Sequence, residues 1–144
     1  MILLDTNVIS ELIRPSPEPA VRHFLLTRSS DELFTSSVCE AEIRYGLARM
    51  ANGRRREDLT ARIAAFLIEA FPNRILPFDT GCAALYGEIR AACEATGRPV
   101  TVEDAMIAAT ARAHAAVLAT RNLADFDGAG IQVINPWMPA EQAG

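Results

Sequence analysis

Five short apolar runs, separated by stretches with helical patterns, constrain the fold of this chain more than any other feature. The runs that we predict to be strands are Ile2 to Leu4, Leu33 to Thr35, Ile75 to Phe78, Ala116 to Thr120 and Ile131 to Ile134. Apolar runs that do not alternate with polar residues are typical of strands buried on both faces, as in a parallel sheet. We therefore predict an α/β fold, a three-layer α/β/α sandwich with a central parallel sheet of about five strands.

Helical patterns fill the intervals between these runs. The predicted helices are Val8 to Arg14, Ala20 to Thr27, Val38 to Ala51, Arg55 to Ala70, Thr80 to Ala95 and Glu103 to Ala113. In the fourth, apolar residues recur at spacings of three and four, which predicts a helix packed on one side. The length of 144 residues is that of one domain. We expect a single domain over 1–144, with a core to about residue 135 and a proline-rich surface tail over 136–144.

Composition and charge exclude several classes of protein. No apolar run approaches the roughly 20 residues that a membrane-spanning helix needs, and no leader pattern opens the chain, so we expect a cytoplasmic protein without membrane contact. The net charge of −4 argues against a broad nucleic-acid binder with a basic face, but not against an enzyme that contacts nucleic acid briefly. The three cysteines lack CxxC spacing and the two histidines stand alone, which predicts reduced thiols and no zinc site.

Acidic residues follow or face the ends of the predicted strands. Asp5 comes directly after the first strand, where a buried carboxylate is costly unless it is paired. Glu42 lies in the helix after the second strand, Asp104 opens the last helix, and "TRN" follows the fourth strand. Functional sites of parallel α/β sheets form beyond the carboxyl ends of the strands. We therefore predict that these segments meet at one end of the sheet.

Each acid also has a local, structural interpretation. Ser37 to Glu40 has the spacing of a capping box, which gives Glu40 a role at a helix start. Glu42 lies about 200° further around that helix and has no such role. Asp104 fits both a cap with Thr101 and a functional site, and the sequence leaves the two open. Glu11 and Glu88 are expected to be solvated residues of polar helix faces.

A cluster of these carboxylates requires a cation. Oxygen ligands without histidine or cysteine favour Mg²⁺ or Mn²⁺, and such a cluster suits hydrolysis of phosphodiesters, in which the metal activates water and neutralises phosphate charge. All 14 basic residues are arginine. The absence of lysine excludes a Walker A loop, and it argues against the lysine-dependent phosphoryl-transfer folds that "LLDTN" also resembles.

Five segments of the chain together resemble the PIN-domain ribonucleases, specifically the VapC or FitB-type toxins of bacterial toxin–antitoxin pairs. The segments are "LLDTNVISEL" at 3–12, "SSVCEAEIRYGL" at 36–47, "VEDAMIAATA" at 102–111, "LATRNLADFDG" at 118–128 and "INPW" at 134–137. The resemblance covers essentially the whole chain. It implies a PIN-like α/β/α fold, dependence on Mg²⁺ or Mn²⁺, and endonucleolytic cleavage of RNA.

The resemblance also implies roles for individual residues. Asp5, Glu42 and Asp104 match the acidic residues that hold the metal and support catalysis. Three polar residues would support the site by orienting the first acid or a metal-bound water: Thr6, Asn7 and Thr120.

The fourth acidic position of the family is ambiguous in this chain. Some relatives have an aspartate where this chain has Asn122, and the nearest acid, Asp125, lies three residues later. An amide oxygen still binds a metal-bound water. We expect Asn122 in the pocket and Asp125 at its rim, both as candidate catalytic residues.

Partners follow from the same resemblance. It implies an RNA substrate, a cognate antitoxin that binds the toxin and contacts DNA on its behalf, and a homodimer within a larger toxin–antitoxin complex. The helices from Val8 to Thr27 are the candidate dimer surface. Two alternatives fit the same residues: an inactive PIN-fold partner in a DNA-binding repressor complex, and a nuclease of RNA maturation that is not a toxin.

Overall fold

The computed structural model describes residues 1–138, in which strands and helices alternate along the chain. The strands are β1 (Ile2–Leu4), β2 (Leu33–Ser36), β3 (Ile75–Leu76), β4 (Val117–Ala119) and β5 (Val133–Ile134). The α-helices are α1 (Thr6–Ile13), α2 (Pro19–Leu26), α3 (Ser37–Ala48), α4 (Arg54–Ala70), α5 (Thr80–Ala95) and α6 (Val102–Ala113). Two short 3-10 helices span Ser30–Glu32 and Leu123–Phe126.

The strands form one parallel sheet in the order β3-β2-β1-β4-β5. This confirms the predicted α/β fold with five parallel strands. With this strand order, the right-handed crossovers that parallel strands adopt imply that α1 to α4 cover one face of the sheet and α5 and α6 the other. The strand order reverses between β1 and β4, which is where sheets of this kind bind ligands.

The central strand β1 is buried by this arrangement. Leu3 pairs in register with Phe34 of β2 and Leu118 of β4, and both Leu3 and Leu118 are fully buried. Ile107 of α6 is equally buried and belongs to the same core. A fully buried leucine or isoleucine contributes roughly 1.5–3 kcal/mol, so the solid apolar runs of the sequence are the main stabilising element of the sheet.

β3, β4 and β5 are shorter than the apolar runs that predicted them, whereas β1 has the predicted bounds and β2 is one residue longer. β3 ends before Pro77, which has no N–H to donate to a neighbouring strand. β4 begins two residues after Ala115, whose backbone is left-handed with φ of 51°. The backbone of Gly130 is also left-handed, with φ of 73°, so the extended conformation of β5 begins only after it.

Five of the six helices begin one or two residues before the predicted start, and α5 begins where predicted. α1 begins at Thr6 rather than Val8, because the Asp5 carboxylate caps it. The predicted capping box starting at Ser37 is wrong: the cap is Ser36, whose hydroxyl accepts a hydrogen bond from the Cys39 N–H at 3.1 Å. Glu40 instead forms an exposed ion pair with Arg44 at 2.9 Å.

The described end of the chain is more buried than predicted. Pro136 is buried and Trp137 packs against the core, so a surface tail that begins at residue 136 is wrong for these two residues. The remaining tail residues, 139–144, lie outside the described part of the chain. All three cysteines are free and buried, as predicted. Among residues 1–138, no helix has the length and apolar character required to cross a bilayer.

Candidate active site

Asp5 is fixed at the carboxyl end of β1, the middle of the sheet. The residue as a whole is only 5% exposed. Oδ1 accepts a hydrogen bond from the Thr6 N–H at 2.7 Å, and Oδ2 accepts one from the Thr120 hydroxyl at 2.8 Å. The buried carboxylate therefore has two donors, but no positive charge pairs with it among the described residues.

Thr120 connects the end of β4 with the start of α1. While its hydroxyl donates to Asp5, the same oxygen accepts from Asn7 Nδ2 at 3.3 Å and from the Asn122 N–H at 3.2 Å. Asn7 Oδ1 in turn accepts from the Arg121 N–H at 3.3 Å. The predicted supporting residues Asn7 and Thr120 thus form one hydrogen-bonded network with Asp5, and a hydroxyl has no further capacity beyond one donor and two acceptors.

Glu42 and Asp104 reach the same place from two different helices. A pocket of about 410 Å³ opens here, and Asp5, Glu42 and Asp104 all line it. The backbone N–H of Asp104 donates to the Thr101 hydroxyl at 3.1 Å, so Thr101 is the helix cap. The cap uses the Asp104 N–H and not its carboxylate, which lines the pocket.

The site contains buried oxygen atoms without partners. Within residues 1–138, Oε1 of Glu42 and Oγ1 of Thr6 are buried and have no hydrogen-bond partner. A buried, unpaired carboxylate oxygen is costly. These atoms are therefore suited to a ligand that supplies positive charge.

The pKa values of the three carboxyl groups are all raised above their ordinary values. Burial, and then the charges of Asp5 and Asp104, together raise the pKa of Glu42 to about 7. Burial and then Asp5 raise the pKa of Asp104 to about 6. Burial also raises the pKa of Asp5, against the lowering effect of its two hydrogen bonds. A cation bound at the site would offset both causes of the raised pKa values, the burial of these groups and their mutual repulsion.

The donor set fits a hard divalent cation. Across the described residues, no three side chains of His, Cys, Asp or Glu are placed to hold one ion together. Mg²⁺ usually takes only one or two carboxylates and keeps several waters. One or two of the carboxylates of Asp5, Glu42 and Asp104 in direct contact, with the remaining carboxylate reached through a bound water, would meet that requirement.

Asn122 and Asp125 occupy different positions. Asn122 lines the pocket and starts the 3-10 helix Leu123–Phe126. Asp125, which is exposed, lies within that helix. Its charge nevertheless raises the pKa values of Asp5 and Asp104 as a minor cause. The structure thus places the amide on the pocket wall and the acid just outside it.

Comparison with known proteins assigns this arrangement to a family. The family model of the PIN domain matches residues 2–129. The chain belongs to the PIN-domain family. It is 40% identical to VapC ribonuclease Y4jK of Sinorhizobium fredii, over 97% of this chain and all of that protein. It is 40% identical to Toxin FitB of Neisseria gonorrhoeae, over 95% of this chain and 99% of that protein.

A solved structure gives the same relationship at the level of the fold. The chain superposes on the structure of FitAB bound to a DNA fragment with a TM-score of 0.89 at 40% identity. The match covers 96% of this chain and 97% of the other. The predicted resemblance to VapC and FitB-type toxins is thereby confirmed.

Glu11 of this PIN domain was predicted to be solvated, and that prediction is wrong. The residue is 7% exposed and lines the acidic pocket. It accepts from the Glu18 N–H at 2.8 Å and pairs with Arg14 at 3.1 Å. The bond from Glu18, and then Arg14, lower the pKa of the Glu11 carboxyl. The four-residue spacing from Asn7 places Glu11 on the pocket face of α1, which was the signal available in the sequence.

Two further residues line the pocket of this PIN domain and were not predicted from the sequence. Arg121 lines it together with Trp137. The Arg121 guanidinium lies 5.0 Å from the centre of the Trp137 ring. Both residues lie within motifs that carried the resemblance, "LATRNLADFDG" and "INPW", but nothing in the sequence joins them, because they meet only after β4 and β5 pair.

Proposed function

We propose that this protein is the toxin of a toxin–antitoxin pair and acts as a divalent-metal-dependent endoribonuclease that hydrolyses RNA phosphodiester bonds. The observation that carries the proposal is the pocket lined by Asp5, Glu42 and Asp104, with raised carboxyl pKa values and an unpartnered buried oxygen on Glu42. Membership of the PIN-domain family, and relatives named VapC ribonuclease and Toxin FitB, support it.

The residues of the pocket have separable roles in this reaction. Asp5, Glu42 and Asp104 would hold Mg²⁺ or Mn²⁺, either directly or through its waters, and the ion would activate water for attack and neutralise charge on the phosphate. Thr120 and Asn7 keep the Asp5 carboxylate in one orientation through the network described above. Asn122 adds a neutral oxygen on the pocket wall, and Asp125 adds negative charge outside it.

The proposed partners follow from the related complex. The FitAB structure contains a DNA fragment, and its FitB component resembles this chain. We extend this to an antitoxin that neutralises the present protein and contacts DNA on its behalf. A homodimer through the surface of α1 and α2, an RNA substrate and a cytoplasmic location complete the proposal.

Cleavage of host RNA tests the enzymatic function. Purified, antitoxin-free protein should cleave RNA in Mg²⁺ or Mn²⁺ and stop when EDTA is added. Asp5→Asn should abolish cleavage while the circular dichroism spectrum stays unchanged. The matched control is Asp31→Asn, because the Asp31 side chain is 90% exposed and lies outside the pocket. No cleavage with either metal would contradict the enzymatic function.

A second candidate function rests on Asn122. The neutral amide at a position that is acidic in some relatives removes one negative charge from the site, which favours a catalytically weak PIN-fold partner in a repressor complex. That function predicts antitoxin-dependent DNA binding without RNA cleavage or slowed growth. A third, an RNA-maturation nuclease without toxicity, predicts RNA cleavage without an adjacent antitoxin gene.

A further inference from the structure

The pocket has a cationic side chain at its rim that forms no ion pair with an acid among the described residues. Of the arginines that line it, Arg14 is committed to Glu11 at 3.1 Å. Arg121 lines the same pocket, is exposed, and forms no ion pair within 4.0 Å among residues 1–138. Its charge lowers the pKa of Glu11, but only as the smallest of several causes.

Arg121 is held in place by backbone and by aromatic packing. Its N–H donates to Asn7 Oδ1 at 3.3 Å, which ties its backbone to the network around Asp5. Its guanidinium lies against the Trp137 ring, 5.0 Å from the ring centre. A guanidinium on an aromatic face is restricted in orientation and keeps its N–H donors free for another partner.

The surroundings indicate what that partner is. The three carboxylates repel an approaching polyanion such as RNA. A divalent cation held by them would offset that repulsion only in its immediate neighbourhood. An RNA chain places phosphates on both sides of the bond to be cleaved, so a neighbouring phosphate must lie near the rim. A guanidinium suits that phosphate because its planar donors match two phosphate oxygens.

We propose that Arg121, supported by Trp137, forms a binding subsite for an RNA phosphodiester next to the one that is cleaved. Arg121 acts as a positioning residue: it fixes the register of the RNA on the metal site and takes no part in bond breaking. The subsite rests on the proposed nuclease function, and the experiment below separates the two.

The test measures RNA binding as a function of salt. A short fluorescein-labelled single-stranded RNA of mixed sequence is titrated by fluorescence anisotropy at several KCl concentrations, in Mg²⁺ and in an Asp5→Asn background that blocks cleavage. Arg121→Gln should weaken binding about tenfold and reduce the slope of log Kd against log salt by about 0.7, the value for one phosphate contact on a single strand. Arg121→Lys should keep most of the slope, because it keeps the charge.

The matched control is Arg90→Gln on α5. Arg90 also packs on an aromatic ring, with its guanidinium 5.8 Å from the centre of Tyr86, but it does not line the acidic pocket. The substitution removes the same charge from the molecule and should leave the salt slope unchanged. Equal losses in both variants would overturn the subsite, because they would report only net charge.

Two other results distinguish the possible failures. A lower melting temperature in Arg121→Gln with an unchanged salt slope would mean that Arg121 only anchors Trp137, and would overturn the subsite. If the protein with its native Asp5 cleaves no RNA although the slope differs as expected, the subsite stands and the nuclease function fails. Cleavage by that protein with no difference in slope gives the opposite conclusion.

Discussion

Replacing Glu42 with glutamine should stabilise the metal-free protein while it damages the metal site. Glu42 keeps one carboxylate oxygen buried and unpartnered, and it faces the negative charges of Asp5, Asp104 and Glu103. Glutamine has nearly the same shape and no charge. The substitution therefore removes repulsion and desolvation at little cost in packing.

The magnitude follows from the shift in pKa. Burial and neighbouring acids raise the pKa of Glu42 from 4.5 to about 7, and one pKa unit corresponds to about 1.4 kcal/mol. The full shift would give roughly 3 kcal/mol, but the residue is only partly buried, and solvent screening reduces this to about 1–2 kcal/mol. For a chain of this size we expect a rise in melting temperature of about 3–8 °C.

The pH dependence of the stability tests separately whether ionised Glu42 destabilises the folded protein. A carboxyl group whose pKa is raised on folding destabilises the folded state only when it is ionised. The penalty in the wild type is absent below pH of about 4.5, grows as the pH rises, and is complete above pH of about 7. The advantage of Glu42→Gln should follow the same course.

Differential scanning calorimetry in EDTA at pH 4.5 and pH 8 measures the effect. The matched control is Glu40→Gln, which removes a charge from the same helix but breaks only an exposed pair with Arg44, worth about 0–1 kcal/mol. Adding Mg²⁺ at pH 8 should raise the melting temperature of the wild type more than that of Glu42→Gln. A variant that is less stable than wild type at pH 8, or equally shifted at both pH values, would refute the reasoning.

Two further predictions concern the pH dependence of Mg²⁺ binding and the contribution of Glu11 to stability. Mg²⁺ affinity, measured by isothermal titration calorimetry, should fall at least tenfold between pH 8 and pH 5.5, because protons on Glu42 and Asp104 must first leave; a constant affinity would contradict their place at the metal. Glu11→Gln should lower the melting temperature at pH 7, because the lowered pKa of this acid stabilises the folded state above about pH 4.3. That difference should vanish once the pH falls below the folded-state pKa, and a loss that persists there would mean that Glu11 acts by packing alone.

Local signals were sufficient for the elements and for most of the candidate site. Apolar runs such as Ile2 to Leu4 predicted strands because burial on both faces leaves no room for polar alternation. Asp5 was recognisable because it follows a strand and Asp104 because it opens a helix, where parallel sheets form their sites. Glu42 was recognisable because it lies in the helix after the second strand without a capping role. The structure places all three on one pocket.

Two wrong predictions concern the cap of α3 and the burial of Glu11. Ser36 and Ser37 both fit a helix cap, and only the backbone geometry selects Ser36. Glu11 appeared solvated because its polar-face assignment ignored what lies opposite α1. Arg14 pairs with Glu11 locally, three residues along the chain. The Glu18 N–H, in contrast, meets Glu11 only when the chain between α1 and α2 folds back.

The sequence by itself determined the fold class, the order of strands and helices, and the acids that could bind a metal, because these depend on residue type and short-range spacing. Only the tertiary structure decided how these groups interact. Thr120 lies 115 residues from the Asp5 carboxylate to which it donates, and Arg121 meets Trp137 across the end of the sheet. Electrostatic shifts and hydrogen-bond networks depend on distance in space and on burial, which strand pairing sets and local sequence does not.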